Sequence, residues 1–406
     1  MDFLVVKKFG GSSLSNSDKM LSAAARIMAA MEEGAGVAAV VSAQGLQTDM
    51  LINKARGISA SPSPRELDML LATGEQQSAS LLAMAVEKLG GRAVSLNAQQ
   101  AGVLSTGGHG DAKIEAIDAG RLRRELASGK AVIVAGFQGM TAGGDVATLG
   151  RGASDTTAVA LAAVLGAARC EMYTDVDGIY TADPRVVSGA IKLRAICYDD
   201  MLELAASGVK KPHGRAVDMA KRYGVPVYVR SSLNDSPGTW IKEDVGVERL
   251  VVSGIAVDRN IARIVVRAKK GAAVDFRLLL ALAERGIAAD HIALPHRSCG
   301  ELVFTVRKQD ARAALDILAA RGDELAVGSA SADEGLAKFS VVGAGMLANC
   351  GIAAKVLGAL GENGIKIEMV AASETKLSVL VDENQATLAA RCAHDCLMQD
   401  FEAGLR

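Results

Sequence analysis

Aromatic side chains are scarce: one Trp, five Tyr and seven Phe in 406 residues. With only seven prolines besides, the chain has few anchors for stacking bases or sugars. Charge of one sign is missing too. The 45 Lys and Arg nearly cancel the 46 Asp and Glu, and no basic block occurs. This argues against nucleic acid or an anionic membrane as the main partner. Six cysteines are scattered without a C-x-x-C pair. Cys392 and Cys396 sit one helical turn apart with no further ligand types beside them, so a reduced, cytoplasmic chain is expected. The longest apolar run, Thr156 to Ala168, falls short of the ~20 residues a membrane span needs. The start "MDFLVVKKF" has no signal-peptide layout. The histidines show no ligand spacing, and no Ser–His–Asp set is suggested.

Half of the residues are hydrophobic and 43 are glycine, so a sizeable core with glycine-rich loops is expected. Up to about residue 240, β-rich runs alternate with Ala/Leu-rich helical patterns. The runs are "FLVVKKF", "VAAVVSA", "RAVSL", "AVIVAG", "RCEMYTD" and "PVYVRSS". Helices are expected over Asp18–Glu33, Glu75–Lys88, Thr156–Leu165, Tyr198–Gly208 and Arg215–Tyr223. Near-continuous apolar strands mean a sheet covered on both faces, hence a layered α/β domain with a mostly parallel sheet. After "SLNDSPGTWIKEDVG" the texture changes. "ALAERGIAADHIA" and "ALGENGIKIEMVA" align without gaps, each flanked by strands and followed by a further helix. That is β-α-β-β-α twice, the ferredoxin-like pattern.

Several stretches have the composition of anion sites. In "TLGRGASDTTAVALAAVLGA", two glycines, Arg151, Ser154 and Asp155 precede an apolar helix. A helix start offers free N–H groups and partial positive charge. Asp155 reads as its N-cap and Arg151 as a fork for a carboxylate or phosphate. An ordinary capped core helix would also explain the aspartate. "VVKKFGGSSL" ends a strand in Lys8 and follows it with Gly10 and Gly11, a phosphate cradle or a plain tight turn. It is no Walker A loop: the only Gly-Lys pair is Gly129–Lys130, with Arg124 where the first glycine belongs. "YTDVDGIYTADPR" gathers Asp175, Asp177, Tyr180, Asp183 and Arg185, but Val186 holds the twelfth position where an EF-hand needs an acid. "GVKKPHGRAV" offers Lys210, "SAQGLQTDML" offers Ser42 and Thr48, and "LLATGEQQS" puts Glu75 at a helix start.

In this order the motifs "KFGGSS", "SAQGLQTD", "LLATGEQ", "GFQGMTAGGDVATLGRGASD", "YTDVDGIYTADPR" and "GVKKPHGRAV…VPVYVRSS…PGT" resemble those of aspartokinases, within the amino-acid kinase family. The tail, with "VVGAGM" and "GENGIKIEMV", resembles that family's paired ACT domains. The resemblance implies an amino-acid-kinase α/β domain over 1–245, then ferredoxin-like ACT units of βαββαβ order over 246–332 and 333–406. It implies transfer of the γ-phosphoryl of MgATP to the side-chain carboxylate of L-aspartate, the first step of aspartate-family amino-acid biosynthesis. It places ATP at Lys8, Phe9, Gly10, Gly11, Thr174, Asp175, Tyr180, Arg185 and Lys210. It places aspartate at Ser42, Thr48, Glu75, Phe137, Arg151, Gly152, Ala153 and Ser154, with Lys8, Arg151, Asp155 and Lys210 as the catalytic set. ATP and Mg²⁺ are the implied cofactors, with no dedicated protein site for the metal. A homodimer or larger oligomer through the ACT domains is implied, without nucleic acid or membrane.

The chain departs from the family pattern in three places. Ala153 stands for a glycine, "KKPHGR" for "KVLHPR", and the ACT loops differ. The effector region would comprise Ala288, Asp290, Leu294, Asn349, Gly351, Ile352, Lys366, Ile367, Ser373 and Glu374. Ala288 and Leu294 replace an asparagine and a glutamine, which removes side-chain donors and acceptors. Weak or altered feedback by lysine and threonine is therefore expected.

Overall fold

A computed structural model of the chain describes residues 3–243, 252–294, 300–344, 346 and 350–398. Two compact units result. The first takes Met1–Tyr180, Lys192–Ala205 and Lys210–Glu248, and the second takes Thr181–Ile191, Ala206–Val209 and Arg249–Arg406. No helix among the described residues is long and apolar enough to cross a membrane.

Up to residue 243 the order is β1 (Phe3–Phe9), α1 (Ser17–Glu32), β2 (Ala35–Val41), α2 (Gln47–Ile58), α3 (Pro64–Lys88), β3 (Ala93–Leu96), β4 (Val103–Ser105) and β5 (Ile114–Ile117). It continues with α4 (Gly120–Ala127), β6 (Ala131–Ala135), β7 (Gln138–Met140), β8 (Val146–Thr148), α5 (Ala153–Leu165) and β9 (Arg169–Thr174). Then come β10 (Ala195–Ile196), α6 (Tyr198–Ala206), α7 (Gly214–Tyr223), β11 (Val227–Ser231) and β12 (Thr239–Ile241). Eight strands form the main sheet in the order β10-β12-β11-β9-β1-β2-β6-β3. All its pairings are parallel except β11 with β12.

Burial explains the continuous apolar strands. Every residue of β2 and β6 is buried, as a central strand covered on both faces requires. One face shares its core with α1 and α3. α5 packs on β1, β2, β9 and α7, and 11 of its residues are buried, so its sequence is apolar all round. Gly166 ends α5 in the left-handed region, φ 67°, with its N–H donated to Ala162 and Ala163 carbonyls. A second sheet, β5-β4-β7-β8, was not expected from sequence; its strands have three or four residues.

The second unit adds β13 (Gly254–Asp258), β14 (Ile261–Ala268), α8 (Arg277–Ala283), β15 (Asp290–Ala293), β16 (Glu301–Arg307), α9 (Lys308–Ala320) and β17 (Val327–Asp333). It ends with β18 (Leu336–Val342), α10 (Cys350–Glu362), β19 (Ile367–Ala372), β20 (Lys376–Asp382) and α11 (Ala386–Cys396). The sheet β15-β16-β14-β17 is an unbroken ferredoxin-like βαββαβ unit. The other sheet is β13-β18-β20-β19. Its edge strand β13 precedes β14 in the chain, so this sheet draws on sequence from both sides of the βαββαβ unit. The segment 181–191 joins this second core through Ala182 and Val187. There Thr181 Oγ1 lies 2.9 Å from Nε2 of the buried His394, whose basicity burial lowers.

Candidate active site

β1 alternates its faces, so its two adjacent lysines part. Lys7 turns into the core, where its ammonium donates to Glu171 at 2.7 Å and to the Tyr173 hydroxyl at 3.2 Å. Burial pushes the Glu171 carboxyl up, but Lys7, Arg169 and Tyr173 hold it down at about 2. Lys8 faces α5 and pairs with Asp155 at 2.6 Å. Phe9 is buried and stacks on Tyr173, fixing the strand end. Gly10 and Gly11 follow. A Cβ at Gly11 would lie 2.5 Å from the Ala43 carbonyl, so only glycine lets the turn close on the loop after β2.

Asp155 is not the N-cap of α5. Gly152 caps it at φ 69°, and Asp155 sits in the first turn, its other oxygen accepting the His213 N–H at 3.3 Å. A Cβ on Gly152 would lie 2.2 Å from His213 Cγ, so packing as well as φ demands glycine there. Ala153 is the first helical residue and buried, an ordinary place for a methyl group. Arg151 is exposed and has no hydrogen bond or ion pair among the described residues. Ser154 is buried under Gly136, whose missing side chain makes room for the hydroxyl. Phe137 adopts φ 69°, a costly conformation for a non-glycine residue and one that clusters at functional sites.

Glu75 is not at a helix start either. α3 begins at Pro64, and Glu75 lies in its middle, 3% exposed. Its Oε1 accepts the Ala43 N–H at 2.9 Å, pinning the loop that carries Ser42 and leads to Thr48 in α2. Its Oε2 is buried and has no hydrogen-bond partner among the described residues. Burial raises the carboxyl to about 7 against the opposing pull of Ala43.

The remaining nucleotide candidates lie at the end of β9 and beyond it. Thr174 donates to Asp175 at 2.9 Å, and Lys211 Nζ reaches Asp175 at 2.8 Å. Lys211 and Thr174 hold the Asp175 carboxyl at about 2. Lys211 was missed from sequence. Its neighbour Lys210 is exposed, without a hydrogen bond or ion pair among the described residues. Tyr180 donates to Asp177 at 2.8 Å, and Lys192 pairs with that carboxylate at 3.0 Å. Arg185 falls in the second unit, where it pairs with Asp183.

Of the effector candidates, Ala288, Gly351 and Glu374 are exposed, Leu294 is half-exposed, and Ile367 and Ser373 are half-buried. Ile352 belongs to the core, Asp290 is engaged by Lys338 at 3.0 Å, and Lys366 pairs with Glu368 at 2.6 Å. Asn349 lies outside the described residues. Sequence reading also missed Asp68 and Gln138, both buried beside the substrate candidates. The signal for Asp68 was its spacing from Glu75, two helical turns along one otherwise apolar face of α3.

The profile of the amino acid kinase family matches residues 3–231, and that of the ACT domain matches residues 339–397. An aspartokinase of Geobacillus stearothermophilus is 45% identical over 396 residues, 97% of this chain and 96% of that protein. Aspartokinase 2 of Bacillus subtilis is 45% identical over 395 residues, covering 97% of both. Among solved structures, aspartokinase III of E. coli in complex with aspartate and ADP superposes with a TM-score of 0.83. It is 25% identical and covers 97% of this chain and 100% of its own.

Proposed function

The chain belongs to the amino acid kinase family, among the aspartokinases, and from that premise we propose that it transfers the γ-phosphoryl group of ATP to the side-chain carboxylate of L-aspartate. The product is 4-phospho-L-aspartate, the entry to aspartate-family amino acids. Glu75 is the observation that carries this reading. A buried carboxylate with one oxygen held by Ala43 and the other without a partner lacks one donor. The α-ammonium of an amino acid supplies that donor together with the positive charge a buried carboxylate calls for, whereas an N-acylated substrate or a nucleotide brings only neutral donors.

The rest of the site fits that substrate. The attacking group is a carboxylate with an ordinary pKa of about 3.9, so it needs no general base at neutral pH. The difficulty is bringing two anions together, which makes catalysis a matter of positioning and charge neutralisation. Arg151 is available to clasp a carboxylate of aspartate in a bidentate pair. Lys8, held by Asp155, and the unspent Lys210 are cations suited to the transferring phosphoryl. Mg²⁺ is ordinarily bound through one or two carboxylates plus substrate phosphates. Asp155 and Asp175 are the carboxylates that would take part; when bound, the ion neutralises phosphate charge.

The test is ADP release and hydroxylamine trapping of the acyl phosphate with aspartate, glutamate, N-acetylglutamate and UMP. Aspartate alone should give hydroxamate. Comparable turnover of N-acetylglutamate would sink the reading, because that substrate lacks the ammonium.

Weak or altered control by lysine and threonine is part of the same reading. Ala288 and Leu294 offer no polar side-chain group, and Asp290 and Lys366 are already paired. Half-inhibition by either amino acid below about 1 mM, an ordinary metabolite level, would overturn this part.

A further inference from the structure

Asp68 sits on α3, 2% exposed, two turns before Glu75 on the same buried face. Its carboxylate is occupied on every side. Oδ2 accepts the Gly110 N–H and the Thr148 N–H, both at 2.9 Å, and lies 3.0 Å from His109 Nδ1. Oδ1 accepts the Thr148 hydroxyl at 2.5 Å. Thr148 ends β8, and the next four residues are Leu149, Gly150, Arg151 and Gly152. The segment that carries the substrate arginine and caps α5 therefore hangs from Asp68. Its next residue is tied as well, because Arg215 donates to the Leu149 carbonyl at 2.6 Å and to the Ala112 carbonyl at 3.1 Å. Between Asp68 and Glu75, the Ala72 carbonyl accepts from Gln138 at 3.1 Å, the residue after Phe137. One helix thus grips three pieces of the substrate site.

Resting on the functional reading above, we infer that Asp68 is a positioning residue for aspartate recognition. It touches no substrate. It sets the root of the 149–152 segment and so the reach of Arg151 relative to Glu75, the two groups that hold opposite ends of the amino acid. Gly150 at φ 78° and Gly152 at φ 69° turn the chain sharply on either side of Arg151, so a shift at the root is passed on to that side chain. An error of about 1 Å in a positioning group can cost on the order of 100-fold. Asp68 makes no contact with Lys8, Asp175 or Lys210, and α5 keeps Asp155 on Lys8 through its own first turn, so the ATP side should feel the change far less than the aspartate side.

The experiment is steady-state kinetics of the full chain, reading kcat and both KM values for wild type, Asp68→Asn, Thr148→Val and Thr148→Ser. Asp68→Asn turns an amide toward two backbone donors. It should raise the aspartate KM about tenfold or more, the cost of one lost hydrogen bond to a charged group, while the ATP KM stays within about twofold. Thr148→Val, which deletes one hydroxyl, should raise the aspartate KM about threefold, and Thr148→Ser, which restores it, should not. The threonine pair carries the test if Asp68→Asn does not fold. A purely structural role would lower melting temperature and active fraction without separating the two KM values. A wild type that makes no aspartyl hydroxamate overturns the functional reading and this inference with it. A wild type that does, with both KM values unmoved or raised together in the variants, overturns the inference alone.

Discussion

Lys7 and Lys8 are neighbours on one strand, each paired with a carboxylate at nearly the same distance, 2.7 Å to Glu171 and 2.6 Å to Asp155. Residue type and bond length do not tell them apart. Their surroundings do. Lys7 and Glu171 are 6% and 3% exposed, and Tyr173 and Arg169 complete the shell with protein groups. Lys8 and Asp155 keep 14% and 12% exposure, beside two glycines and a helix start. A closed shell marks a structural charge, and an open one marks a charge held in readiness. A different contrast separates two exposed lysines, Lys211, paired with Asp175, and Lys210, which has no ion pair among the described residues.

Opening the closed shell should have the largest effect on folding. Lys7→Met leaves Glu171 buried with a diminished set of donors, and breaking a buried pair from one side costs about 3–5 kcal/mol. Denaturant midpoints should fall accordingly. The double change Lys7→Met with Glu171→Leu should recover much of that loss, because removing both charges also removes their desolvation cost. Lys8→Ala should behave oppositely, with a small change in midpoint but a kcat lower by about 100-fold or more, the scale of a lost transition-state charge contact. If the two variants exchanged phenotypes, the distinction between closed and open shells would fail.

Much of this contrast was legible in the sequence, and some was not. The strands of the main sheet showed as apolar runs because both faces are covered. The ends of β1 and the start of α5 showed as glycines beside charge. The first three turns of α3 were hidden because Thr73 and Gly74 look like a break. Gly74 is there for closeness instead: a Cβ would lie 2.9 Å from that of Ala43. The missed cap of α5 has the same origin. Asp155 has the right side chain for an N-cap, but Gly152 has the backbone for it, and the chain turns where φ is positive. Strands as short as β7 and β8 carry no periodicity to read. The pairing of β13 with β18 is a long-range choice to which local sequence is blind.

Glu75 is a carboxylate between the two kinds, closed on one oxygen and open on the other, and it should title with substrate. Its carboxyl is raised to about 7 by burial. A bound ammonium favours the ionised form and so lowers that value. The sign follows: aspartate binds the ionised form better, so its KM should be flat above about pH 7.5 and rise roughly tenfold per unit well below 7. The ATP KM should not share this slope, and Glu75→Gln should abolish it at the cost of a uniformly higher aspartate KM. A slope unchanged in Glu75→Gln would assign it to another group.

The smallest expected effect concerns Lys211. Its pair with Asp175 is about half exposed on both sides, 48% and 54%. Such pairs contribute about 0–1 kcal/mol, so Lys211→Ala should change the ATP KM by no more than about fivefold. Lys210 is exposed and makes no hydrogen bond or ion pair among the described residues, so a kinetic loss without a change in stability would point to the nucleotide. If it neutralises phosphate, Lys210→Ala should lower kcat/KM for ATP about tenfold or more, with the denaturant midpoint unchanged. The two alanine variants measured side by side decide which lysine faces the phosphates. A larger kinetic loss in Lys211→Ala than in Lys210→Ala would reverse the assignment, because it would mean that the ion pair with Asp175 opens when the nucleotide arrives.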